Sequence, residues 1–118
     1  MTKINIYSIA KSVNDEFDVI SKELIKMSSK YAKVESFNLF NKKISKAQTI
    51  GQKEAQQSYT DVFLSNMQGF NVALDVKGKK IDSFKFAKLI DDKTVINFFI
   101  GGAYGFNEEF LRLCDTKI

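Results

Sequence analysis

Thr94-Val95-Ile96-Asn97-Phe98-Phe99-Ile100 runs without a break into Gly101-Gly102-Ala103-Tyr104-Gly105. The first seven residues are rich in β-branched and aromatic side chains, which predicts a strand. They are apolar at successive rather than alternate positions, the pattern of a strand covered on both faces. Three glycines within the next five residues end it sharply and let a backbone or ligand come close. Asn107-Glu108-Glu109 then supplies an N-cap and an acidic first turn, so a helix follows. Strand, glycine turn and helix make one βα unit.

The same unit repeats upstream. Phe70 to Val76 reads as a third strand, again almost continuously apolar, followed by a Lys77-Gly78-Lys79-Lys80 turn. Asp82 or Ser83 caps a helix carrying Phe84, Ala87, Leu89 and Ile90. Before the third strand, Ile50, Ala55, Tyr59, Val62, Phe63 and Met67 fall on one face of a long helix, with Gly69 as its C-terminal glycine. A basic stretch from Asn41 to Lys46 leads into it. Lys3–Ile9 and Lys33–Phe40 alternate apolar and polar residues and are expected as first and second strands. Between them Asn14-Asp15-Glu16 caps a helix whose stripe is Phe17, Ile20, Leu24, Met27 and Tyr31. Strand–helix alternation of this kind predicts an α/β fold, a parallel sheet with helices on both faces, in a single domain over residues 1–118. The alternating first and second strands are expected nearer an edge than the third and fourth.

Composition narrows the chemistry. The chain of 118 residues is long enough for one sizeable core, and 44% apolar content with 11 Phe supplies it. It has no His, no Pro and a single Cys, Cys114. That excludes Ser–His and Cys–His catalysis, His-bearing or multi-Cys metal sites and an intrachain disulfide. Any activity must draw on backbone groups, carboxylates, hydroxyls or a bound cofactor. Arg112 is the only arginine among 18 basic residues, and the net charge of +4 permits an anionic partner such as RNA. No apolar run approaches the roughly 18 residues of a membrane span. The N-terminus lacks the apolar core of a secretory signal, so a cytoplasmic protein is expected.

In open α/β sheets ligands gather beyond the carboxyl ends of the strands. The candidates here are Leu74-Asp75-Val76-Lys77-Gly78 and the turn from Gly101 to Gly105. The latter is not the G-x-G-x-x-G dinucleotide fingerprint, nor a phosphate-cradling loop, since no Lys-Ser or Lys-Thr follows. Asp75 invites comparison with the phosphoacceptor of receiver domains. Those need an acidic pair after the first strand, where this chain has Ser8-Ile9-Ala10-Lys11. An Asp75 that caps a loop or faces solvent is the plainer reading, and Cys114, beside Leu111 and Leu113, reads as a small core residue on a helix face. The lysines at 42, 43, 46 and at 77, 79, 80 read as solvated loop faces open to phosphate contact.

Leu74-Asp75-Val76-Lys77-Gly78-Lys79 together with Phe99-Ile100-Gly101-Gly102-Ala103-Tyr104-Gly105-Phe106 resembles the ribosomal RNA large subunit methyltransferase H family. Lys53-Glu54-Ala55 and the opening Lys3-Ile4-Asn5-Ile6 add to the resemblance, which spans the whole chain in order and spacing. It implies a SPOUT-type α/β fold with a C-terminal trefoil knot, acting as a homodimer. It implies transfer of a methyl group from S-adenosylmethionine to N3 of a pseudouridine in 23S ribosomal RNA of the assembled ribosome. Neither a membrane nor DNA is implied as a partner. Leu74 matches a residue lining the adenosyl pocket and Gly101 a backbone contact to the cofactor, with Gly102 and Gly105 shaping the same loop. No catalytic base can be named. The family continues beyond the point matching Ile118 with a further strand and a His- and Pro-bearing, knot-forming tail. The expectation is a chain lacking that part and retaining little activity. The alternative is a non-enzymatic, receiver-like or flavodoxin-like binding module.

Overall fold

The computed structural model describes residues 2–9, 22, 25, 26, 32–74, 88, 93–101 and 104–117. Its strands are β1 (Thr2–Ser8), β2 (Ala32–Asn38), β3 (Phe70–Leu74), β4 (Val95–Ile100) and β5 (Thr116–Lys117). Its helices are α1 (Lys42–Ile50), α2 (Gln52–Leu64) and α3 (Glu108–Leu113). All four pairings are parallel and the order is β2-β1-β4-β3-β5. The α/β class and the parallel sheet expected from sequence are what the chain forms.

Alternation sends residues of each strand to opposite faces. On one face Ile4, Ile6, Val72, Ile96, Phe98 and Ile100 form a fully buried cluster, and helical Ile25 packs against it. On the other, Ile44 of α1, Ala55, Tyr59 and Phe63 of α2 and Phe110 of α3 close over Ala73 and Phe99. Phe63 and Phe99 meet edge-on at 5.0 Å, and Phe110 stands at 5.2 Å from Phe63 and 5.3 Å from Phe99. Such edge and tilted contacts set ring edges against the negative ring faces.

Five expectations need correction. β1 is central, not near an edge: β2 and β4 flank it in full register. It alternates because Asn5 is a buried polar position, 8% exposed, in a row that crosses three strands. Asn5, Asn97 and Asn71 are cross-strand partners. Asn5 Nδ2 donates to Asn97 Oδ1 and Asn97 Nδ2 to Asn71 Oδ1, each at 3.1 Å. Low local dielectric makes a satisfied amide row of this kind strong and an unsatisfied one costly.

The long helix is instead two. Gly51 interrupts it in extended backbone, accepting from the Ala55 N–H and donating its own N–H to Ala47. Asn41 caps α1 through its side chain to the Ile44 N–H at 2.8 Å. The break turns Ile50 outward, 64% exposed, and places Lys42, Lys43 and Lys46 on an exposed helix face rather than a loop. Gly69 is not the helix cap, since α2 ends at Leu64 with Ser65 as C-cap. At φ +120° it leads into β3, where a Cβ would lie 2.8 Å from the Val95 carbonyl oxygen. Finally, a fifth short strand was not expected: Thr116–Lys117 pairs with β3 beside Val72 and Ala73. Asp115 secures the join, its carboxylate accepting from the Asn71 N–H at 2.7 Å and its own N–H donating to the Asn71 carbonyl at 2.8 Å.

The expected helices at 14–30 and 82–90 lie largely outside the described residues. Within them, Lys22, Ile25, Lys26 and Lys88 are helical.

Candidate functional site

The strand register assembles the site. Asn38, Ser8, Ile100 and Leu74 form one row across β2, β1, β4 and β3 at the carboxyl edge. β1 continues to β2 on one side of the sheet, while β4 continues to β5 on the other. The boundary between β1 and β4 is therefore the topological switch point, where an open α/β sheet leaves a crevice. Gly101 follows Ile100 directly at that boundary and is buried.

The turn beyond Gly101 is closed by its own backbone. A Cβ on Gly101 would stand 3.1 Å from the Gly105 Cα and 3.2 Å from its carbonyl carbon. Neither atom can swing aside as a flexible side chain would. Gly105 has φ +71° with open space in front of it, so conformation rather than room requires glycine there. Gln56 of α2 anchors the loop, donating from Nε2 to the Tyr104 carbonyl at 2.9 Å. Phe106 stacks on Phe110 at 5.1 Å and ties the loop's far end to the core. Asn107 caps α3 through the Phe110 N–H at 2.8 Å, as expected.

Three of the four site residues read from sequence are thus placed. Leu74 ends β3, half-buried and packed on the Ile100 cluster. Gly101 sits in the next position along β4, and Gly105 closes over it. Gly102, with Asp75, lies outside the described residues. What these groups offer is an apolar flank beside close main chain, with no ionised group among Leu74, Gly101 and Gly105. That suits a neutral heterocycle or sugar edge better than a phosphate.

Tyr7, Tyr59 and Cys114 take no part in this edge loop. Tyr59 is fully buried, its hydroxyl donating to the Gln48 side chain. Burial, with the nearby Glu35 carboxylate, raises the Tyr7 phenol above its ordinary value. Cys114 is not on a helix face; it is the extended residue that ends α3, half-buried against the aromatic cluster. Burial, then Asp115, push its thiol up to about 12, while Lys117 opposes them. In the unfolded chain the thiol ionises near its ordinary 9.0. Between those values the unfolded state sheds a proton that the folded state keeps, so stability falls as pH rises through that window and is unaffected below it. Urea midpoints at pH 8, 10 and 11 should fall less steeply in Cys114→Ser than in the parent. Equal slopes would overturn this. Disulfide reagents should also react slowly at pH 8.

The sequence reading passed over Asn5, Asn71 and Asn97. The signal was present: each is an Asn between apolar neighbours in a strand, as in Ile4-Asn5-Ile6 and Ile96-Asn97-Phe98. Only register shows that the three align.

A parallel sheet with a glycine-closed loop at its switch point is the arrangement on which α/β proteins build ligand sites, and comparison with known proteins specifies the family. A family model described as a predicted SPOUT methyltransferase matches residues 2–118. The ribosomal RNA large subunit methyltransferase H of Aliarcobacter butzleri is 59% identical over 116 residues, covering 98% of this chain and 77% of that protein. Its counterpart in Campylobacter jejuni strain 81-176 is 47% identical, covering 98% and 76%. That of a Nitratiruptor species is 47% identical, covering 100% and 78%. The chain belongs to the ribosomal RNA large subunit methyltransferase H family, within the SPOUT methyltransferases. The binding-module alternative gives way to an enzyme.

Proposed function

We propose that the chain binds S-adenosylmethionine at the carboxyl edge and directs its methyl group to N3 of a pseudouridine in 23S ribosomal RNA of the assembled ribosome. The observation that carries the binding reading is the alignment of Leu74, Ile100 and Gly101 at the switch point, with Gly105 folded against Gly101. The RNA reading is supported by family membership and by the names of the relatives. A net charge of +4 suits a polyanionic partner.

The residues present fit such a cofactor. Leu74 would flank the adenosyl group, and the Gly101 main chain would meet its polar edge. Gly102 and Gly105 would shape the same loop. When bound, the sulfonium supplies an already activated methyl group, so strong acid–base machinery is not demanded of the protein. The chain's own task is orientation: a fixed edge against which the attacking nitrogen lines up. The loop's anchors, Gln56 and Phe106, belong to that task because they hold it to α2 and the core. A homodimer and a cytoplasmic setting complete the reading. Among the described residues no helix is long and apolar enough to cross a membrane.

The test is a two-dimensional NMR titration with S-adenosylhomocysteine. Amide signals of Leu74, Gly101 and Gly105 should move, while those at the amino edge of the sheet stay in place. A saturating titration that leaves all three unmoved would sink the cofactor assignment.

A further inference from the structure

The opposite edge of the sheet holds a concavity. It is an open groove of about 650 Å3, on the face covered by α1 to α3 and beyond the C-terminal end of α2. Asn5 and Asn97 lie at its floor, Tyr7 along its wall, and Lys3, Lys93 and Thr94 toward the amino ends of the strands. Its volume is in the range of small-molecule sites.

The floor is a hydrogen-bond chain whose direction is dictated from one end. The Met67 carbonyl can only accept, so Asn71 turns its Nδ2 toward it, at 3.0 Å. Asn71 Oδ1 therefore faces Asn97, whose Nδ2 donates to it and to the Gln68 carbonyl at 2.9 Å. Asn97 Oδ1 is left facing β1, and Asn5 must offer its Nδ2. The chain ends there. Asn5 Oδ1 receives no donor from the described residues, and the second Nδ2 hydrogen has no acceptor among them. Yet Asn5 is only 8% exposed and lines the groove. A nearly buried carboxamide with an unpaired acceptor beside an unpaired donor is satisfied by water in the groove or by a ligand that displaces it.

Cations stand at the rim above it. Lys3 shares a 3.7 Å ion pair with Glu35, both side chains being about half exposed. Lys93 lies over the Phe70 ring at 5.0 Å. Their segments are joined by the Lys3 N–H to the Thr94 carbonyl at 2.9 Å and the Thr2 hydroxyl to the Lys93 carbonyl at 2.7 Å. Charge at the mouth and a paired donor–acceptor edge at the floor match one kind of ligand.

We propose that this groove binds a nucleotide, its base edge on the Asn5 carboxamide and its phosphate at the Lys3–Lys93 rim. The Watson–Crick edge of every nucleobase sets a donor next to an acceptor, and a carboxamide can meet such an edge in two-point fashion. Unstacked bases of single-stranded RNA expose these edges, as does a free mononucleotide. The inference does not rest on the methyl-transfer reading, because the groove is at the other end of the strands from Gly101.

The experiment is NMR titration of the full 118-residue chain with AMP, with ribose 5-phosphate and with a three-residue oligoadenylate. AMP should move the Asn5 side-chain amide pair, whereas ribose 5-phosphate at equal concentration should move rim signals only. A trimer binding about tenfold tighter than AMP identifies single-stranded RNA as the source, and equal affinity identifies a free nucleotide; either supports the site. Lys3→Gln, an exposed change, should weaken AMP about threefold and leave adenosine unchanged. Asn5→Ser should weaken both about tenfold, provided its spectrum stays native. If it does not, the parent's Asn5 signals and the Lys3 variant decide. An Asn5 amide pair that AMP leaves in place, or that ribose 5-phosphate moves equally, would overturn the proposal. Shifts at Leu74 and Gly101 report the cofactor edge separately, so the two readings fail independently.

Discussion

Gly101→Val should erase S-adenosylhomocysteine binding while the protein remains folded. A single added Cβ already meets the Gly105 Cα at 3.1 Å and its carbonyl carbon at 3.2 Å, tighter than ordinary contact. Valine adds two further methyl groups against the same backbone. The loop must open away from β4, and with it goes the close main chain on which the proposed contact depends. Overpacking of this kind costs about 1–3 kcal/mol, which a domain stable by about 5–15 kcal/mol survives. Affinity should drop by more than about a hundredfold, because the geometry of the binding edge and not just one contact is lost. Calorimetry of the variant beside the parent measures this, with circular dichroism as the control for folding. Gly105→Ala separates sterics from conformation. It meets no atoms, and its left-handed φ should cost only about 1 kcal/mol. Parent-like binding by Gly101→Val would refute the loop assignment.

Asn97→Leu should be the most destabilising single change in the sheet. Asn97 is the middle of the amide row, 1% exposed, and bonded on both sides. Leucine keeps the branched outline with bulkier methyl groups and strands Asn5 Nδ2 and Asn71 Oδ1, both on side chains less than a tenth exposed. Each stranded buried group costs about 1–3 kcal/mol, so the total is about 2–6 kcal/mol. Asn5→Leu, at the end of the row, strands only Asn97 Oδ1 and should cost about half as much. Urea denaturation of both variants tests the ordering. If Asn5→Leu proves the costlier, the row is not a directed chain of bonds.

Much of the fold was legible because burial writes itself into residue periodicity. The continuous apolar runs of β3 and β4 announced strands covered on both faces, and Asn107 marked the start of α3. The closed loop proposed as the cofactor edge was legible for a related reason: glycines clustered at a strand end signal backbone that must come close. The failures share a cause too. Asn5 made β1 look half-exposed because a polar residue satisfied by a distant strand has the same local signature as one satisfied by water. Gly51 split the long helix although the apolar stripe runs on through it, since the stripe records which face is buried and not whether the backbone bends. The two residues of β5 carry almost no pattern, and their pairing comes from Asp115 binding the β3 backbone.

By itself, then, the order of residues determined the α/β class, the glycine loop at the end of β4 and the family to which the motifs point. These are local or nearly local properties, set by period, propensity and spacing. Tertiary structure alone decided that β1 is central, that Leu74, Ile100 and Ser8 share one row, and that three asparagines 26 to 92 positions apart form a single chain of bonds. Strand order and register are settled by long-range pairing and the packing of both faces, and no short stretch of sequence contains that information.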